Sequence, residues 1–328
     1  MKVHRALVAA VAVAALAGVG SGSAHTPGRQ SGAPSPPQSS LGASNGDLPL
    51  LRHHRYKMAG RARPLLFWIG RADVGMGEIV WRGGEGAVAY ELLIGTDAAK
   101  APRNINRWGY LLEDARPSVT RVLGVMTTSD EATISDVTSR PAGAQPVGRF
   151  KGLDARITGG VSRSTAETIE TERDFSVREK AVIVGRIEQK LRDGVVREAP
   201  VPDGVRQGFL LAVAELVQDT IAARKSGEQA LQRLKGRTIP YIYSRTLYDL
   251  KLTDVDTVRS SGGGPPGAGL VHAEFGTLNR TKGSRTTFEL EYATEGPLAG
   301  VPTLIRHRPR WWLEAVLTLE DAPTASGR

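Results

Sequence analysis

Three short stretches of this chain set aromatic rings beside groups able to hold a polar ligand. They are Phe67-Trp68-Ile69-Gly70-Arg71-Ala72-Asp73, Arg103-Asn104-Ile105-Asn106-Arg107-Trp108-Gly109-Tyr110 and Arg306-His307-Arg308-Pro309-Arg310-Trp311-Trp312. Aromatic residues make up only 5% of the chain, yet four of its five Trp fall in these stretches. A guanidinium beside an indole can stack on the ring or on a ligand. An Asn amide offers both a donor and an acceptor for orienting a polar group. Trp68, Arg71, Asn104, Asn106, Arg107 and Trp108 are therefore candidate ligand-binding residues, forming an aromatic wall with a polar rim. The competing reading is structural: the Trp rings fill the core and the Arg side chains reach past them to water.

Other chemistry finds no complete motif. Gly160-Val161-Ser162-Arg163-Ser164 approaches the nucleophile elbow of a serine hydrolase but lacks its second glycine. Gly75-Met76-Gly77 has no third glycine and no strand-to-helix setting, so it does not read as a dinucleotide loop. Asp254-Val255-Asp256 opens like a calcium loop, then places Val258 and Arg259 where an oxygen ligand and a glycine belong. His53 and His54 point to opposite sides of a strand and make a poor chelating pair, while His272 and His307 stand far apart in sequence. With no cysteine in the chain, thiolate metal sites, disulfides and cysteine nucleophiles are excluded. No metal or cofactor is expected and the catalytic residues, if any, stay unknown, because carboxylates are numerous enough that a pair brought together by the fold stays open.

The elements that would position these residues read mainly as strands. Val88, Tyr90, Leu92 and Ile94 alternate with Ala89 and Glu91, and Phe288, Leu290 and Tyr292 with Thr287, Glu289 and Glu291. Val119–Thr127, Ser164–Thr171, Ala181–Leu191, Ile239–Leu252, Val301–His307 and Trp311–Leu319 carry similar patterns. Period-two alternation marks half-buried antiparallel strands, and Arg82–Gly86 reads as a hairpin turn. One region differs. After Asp203, a candidate N-cap, Phe209, Leu210, Val213, Leu216, Val217 and Ile221 recur at helical spacing. Ser226 with Gln229 suggests a capping box opening a second helix through Leu234, closed by Gly236. The expected fold class is α+β: a large curved antiparallel sheet, half-open and barrel-like, packed on an amphipathic helix pair.

The N-terminus predicts export. Lys2, His4 and Arg5 precede an Ala/Val/Leu/Gly run over Ala6–Val19, and Gly22 and Ala24 fit a cut before His25. The run is too short to span a bilayer. We divide the chain into a signal peptide at 1–24, a Ser/Pro/Gly tether at 25–50, and one β-rich domain at 51–325 with a helical insert at 204–235. After cleavage no transmembrane anchor is expected, and the destination is the periplasm or the extracellular space. The formal charge is +9, a mild excess with both signs interspersed. It admits an anionic envelope component as partner, and nucleic acid is not expected.

Phe67–Arg71, Ile94–Asp97 and Ile105–Tyr110 together resemble an uncharacterised group of exported bacterial proteins, a resemblance that implies no activity. From Phe288 onward, Gly300-Val301-Pro302 leading to Pro309-Arg310-Trp311-Trp312 is similar to periplasmic half-barrel carriers, which implies a fold and no site. The functional expectation is an exported non-enzymatic protein that binds a lipid or other apolar or amphipathic ligand within its curved sheet. Its rivals are an envelope or extracellular polymer hydrolase and a basic envelope scaffold.

Overall fold

A computed structural model describes residues 48–62, 69–101, 106–128, 148–258, 269–310 and 313–320. The expected signal peptide, most of the expected tether, Trp68 and Asn104 lie outside the described residues.

The fourteen described strands form one antiparallel sheet. They are β1 (Leu50–Ala62), β2 (Ile69–Gly84), β3 (Ala87–Thr96), β4 (Trp108–Ala115), β5 (Thr120–Thr127), β6 (Gly148–Thr158) and β7 (Val161–Thr171), then β8 (Arg197–Pro200), β9 (Thr238–Tyr243), β10 (Thr246–Val258), β11 (Leu270–Asn279), β12 (Arg285–Ala293), β13 (Pro302–Arg310) and β14 (Leu313–Leu319). Their spatial order is 8-7-6-5-4-3-2-1-14-13-12-11-10-9. Two meanders are thus joined where the first strand pairs with the last, Tyr56 opposite Leu319 and Ala62 opposite Leu313. The β2–β3 hairpin closes on Glu85 and Gly86, at φ 49° and 78°. Positive φ at both central residues is the geometry that matches the twist of the flanking strands.

The helices are α1 (Lys180–Arg192), α2 (Phe209–Lys225) and the short α3 (Glu228–Gln232). The sheet curves around α2 and stays open: β8 and β9 are edges that share no ladder. Near these edges β7 nevertheless meets the turn between β9 and β10 at a polar seam. The Ser162 hydroxyl donates to the Ser244 carbonyl, and Ser244 Oγ lies 3.0 Å from Ser164 Oγ.

Two cores follow from the two faces. On the inner face, Tyr56, Leu92, Leu111, Leu153, Tyr241, Phe275 and Leu317 pack with Phe209, Leu216 and Ile221 of α2. On the outer face, α1 lays Ile183, Ile187 and Leu191 over Leu93, Leu112, Val125 and Phe150. Strands under both helices must be apolar on both sides, so β4 is buried almost throughout rather than alternating. Outside α1's footprint the outer face is charged, with Arg306 2.5 Å from Glu289 and Arg308 2.7 Å from Glu314.

Three sequence expectations need correction. Ala181–Leu191 is helix, not strand. Ile183, Ile187 and Leu191 are spaced by four, which satisfies a helix face and a strand face alike. What favours the helix is Glu179, whose carboxylate accepts from the Ser176 backbone N–H at 3.0 Å and its hydroxyl at 2.9 Å, just ahead of α1. Second, α2 starts after Gly208 rather than Asp203. Arg206 pairs with β9, its N–H on the Pro240 carbonyl at 2.8 Å, and this holds the chain extended up to Gly208. Third, Ser226 ends α2 and bonds back to the Ala222 carbonyl at 3.3 Å; it caps no following helix.

Candidate ligand cavity

A cavity of about 280 Å³ lies between α2 and the inner face of the sheet. It sits at the end of the sheet where β1 and β13 begin. Alternation decides its walls. Ile79 and Trp81 of β2 stand opposite His54 and Arg52 of β1, and Tyr90 and Leu92 of β3 opposite Trp81 and Ile79. Phe288 and Leu290 of β12 and Leu210, Val213 and Val217 of α2 complete an apolar lining.

Polar groups gather at one side. Trp81 and Tyr90 meet edge to face with centroids 6.1 Å apart. The Arg52 guanidinium lies 4.9 Å from the Trp81 ring centroid and donates to the Ala299 carbonyl at 2.7 Å. Gln218 of α2 also lines the cavity, beside the turn at Gly300. Gly300 holds φ 77° there, a conformation that lets the turn reach the helix and that few other residues accept.

Glu113 of β4 anchors α2 behind the cavity and is fully buried. Its Oε1 accepts from the Phe209 N–H at 2.7 Å and its Oε2 from the Leu211 N–H at 2.9 Å. It therefore supplies the N-terminal acceptor that the helix's own Gly208 lacks. Burial pushes its carboxyl up to about 7, and the helix N–H groups only partly oppose this. Desolvation also raises the neighbouring Tyr241 and Tyr243 hydroxyls well above their usual range, and neither hydroxyl makes a hydrogen bond among the described residues.

The described residues among those singled out from sequence lie elsewhere. Trp108 is 1% exposed on the outer face of β4, its ring 5.4 Å from Phe150. Its indole N–H donates to the Phe175 carbonyl at 2.8 Å, and the Asn106 amide donates to the same oxygen at 2.9 Å. The two together tie the approach to α1 onto β4. Arg107, half-buried, gives its carbonyl to the Thr96 N–H at 2.8 Å. Arg71 is exposed on β2 opposite Gly60. All four sit at the end of the sheet away from the cavity. The residues that sequence reading missed are Arg52, Trp81, Tyr90 and Glu113. Trp81, the Trp outside the three clusters, alternates with Ile79 beside a legible hairpin turn, and an acid inside the apolar run of β4 was the available sign of Glu113.

A second depression, on the outer face, is lined by Asp73, Glu78, Asp97, Lys100 and Arg178. Its charges largely neutralise one another: Lys100 is 2.6 Å from Asp73 and Arg178 3.6 Å from Asp97. Among the described residues no three His, Asp or Glu are placed to share a metal ion, and no helix is long and apolar enough to cross a membrane. No known protein family, curated protein or solved structure matches the chain.

Proposed function

We propose that this chain is an exported carrier that holds one apolar or amphipathic molecule between α2 and the curved sheet, without transforming it. The observation that carries the proposal is the cavity: an apolar chamber of about 280 Å³ whose charged and amide groups, Arg52, Glu91 and Gln218, accompany walls made of aliphatic and aromatic side chains. Small-molecule sites combine these features at roughly 300–1,000 Å³. A volume just below that range suits a single chain or small ring system rather than a two-chain lipid. The acid that borders the cavity, Glu91, is held by Arg82 and Tyr110, and the buried Glu113 is committed to the α2 backbone, which weighs against the use of either as a hydrolytic acid.

Native mass spectrometry of the protein purified from its host's envelope tests this, with Val213→Trp as comparison. The bulkier ring fills the chamber from α2. The wild type should carry an added mass of a few hundred daltons that the variant lacks. The same added mass on both proteins would place the ligand elsewhere and overturn the proposal. The same spectra read the export step, since cleavage after Ala24 leaves His25 as the first residue.

A further inference from the structure

We infer that the occupant of this cavity is a single-chain amphiphile with an anionic head, and that Arg52 reads the charge. The inference rests on the carrier reading and adds the chemical class of the ligand. It starts from an imbalance of charge. Several partly buried arginines elsewhere have carboxylate partners: Arg82 with Glu91 at 3.2 Å, Arg121 with Asp154 at 3.0 Å and Glu188 at 2.7 Å, Arg306 with Glu289 at 2.5 Å. Arg52 has no carboxylate within ion-pair distance among the described residues. Its bonded partner is neutral, the Ala299 carbonyl, and its other neighbour is the Trp81 ring.

The acid closest to hand cannot compensate. Glu91 borders the cavity, but its carboxylate takes the Arg82 guanidinium and accepts the Tyr110 hydroxyl at 3.0 Å. A guanidinium held beside apolar walls without a counter-charge is a costly arrangement. An anion entering with the ligand would remove that cost. The fork is also already oriented. One N–H is fixed on Ala299 and the plane is braced by Trp81, so the remaining donors are available to a carboxylate or phosphate with little further loss of side-chain freedom. The ligand's tail would then lie along Leu92, Val213, Val217 and Leu290.

Four decyl ligands separate the possibilities by calorimetric titration: decanoate, decyl phosphate, decanol and decyltrimethylammonium. Wild-type protein should bind the two anions about tenfold or more tightly than decanol, and the cation most weakly. Raising the salt concentration should narrow that gap. Whichever anion binds tighter identifies the head as carboxylate or phosphate. In Arg52→Gln the ratio of decanoate to decanol affinity should fall towards one, and Arg52→Lys should restore part of it. Equal wild-type affinities for decanoate and decanol would overturn the charge assignment while leaving the carrier reading intact. A ratio unchanged in Arg52→Gln would do the same for the role of Arg52. Binding of none of the four would overturn both. The wild-type ranking and its salt dependence need no variant, so the inference is tested even if Arg52→Gln does not fold.

Discussion

Glu113 and His307 are both buried, and folding displaces both of their proton affinities. Glu113 titrates at about 7 in the fold, against an ordinary 4.5. Between those values the native state holds a proton that the unfolded chain has released, so this group makes the protein less stable as pH rises. His307 donates from Nδ1 to the Thr287 carbonyl at 2.8 Å, and burial lowers it from 6.5 to about 4. In its window the unfolded chain holds the extra proton, so this group makes the protein more stable as pH rises. Across pH 4.5–6.5 the two effects oppose each other. Glu113→Gln should therefore lose stability on acidification from 6.5 to 4.5, by up to about 3 kcal/mol, and His307→Gln should gain by a similar amount. Urea unfolding of the three proteins across that range checks this: parallel pH profiles would contradict it. Trp108 belongs to the same scale. Trp108→Ala removes a buried ring and one of the two donors to the Phe175 carbonyl, and should cost about 3–5 kcal/mol in denaturant unfolding. The sequence shows that Trp108 and Asn106 are special but not why. Rings and amides that fasten one element to another have the same composition as those that fasten a ligand.

At the scale of elements, glycines record where helices come close. A Cβ on Gly152 of β6 would collide with Ile187 Cγ2 of α1. Gly152→Ala should lift α1 and cost about 1–3 kcal/mol, and Ile187→Ala in the same chain should recover much of that loss by making room. Chemical denaturation of the double-mutant cycle measures the rescue, and simple additivity would contradict the contact. Legibility differs among elements for a physical reason. β12 is readable because one face is polar, and α2 because its wide apolar stripe repeats at helical spacing. α1 was ambiguous because the residues it buries are spaced by four. The start of α2 was not readable because its N-terminal acceptor, Glu113, lies some hundred positions earlier on another strand.

For the molecule as a whole, the alternation and the short turns were enough to give a curved meander with helices. They gave no sign that β1 lies between β2 and β14, because that pairing joins the two ends of the chain and leaves no local mark. The cavity depends on this pairing. Arg52 of β1 reaches the Ala299 carbonyl, 247 positions away, only because the meanders close on each other. A search for dense aromatic and basic residues led instead to the far end of the sheet, while the cavity is assembled from single residues on β1, β2, β3, β12 and α2. The central claim is that this assembled chamber holds a ligand. Calorimetric titration of decanoate into the wild type and into Val213→Trp, with urea unfolding of both, tests it most directly. Saturable one-to-one binding to the wild type is expected, and none to a variant that remains folded. Equal binding to both proteins would contradict it.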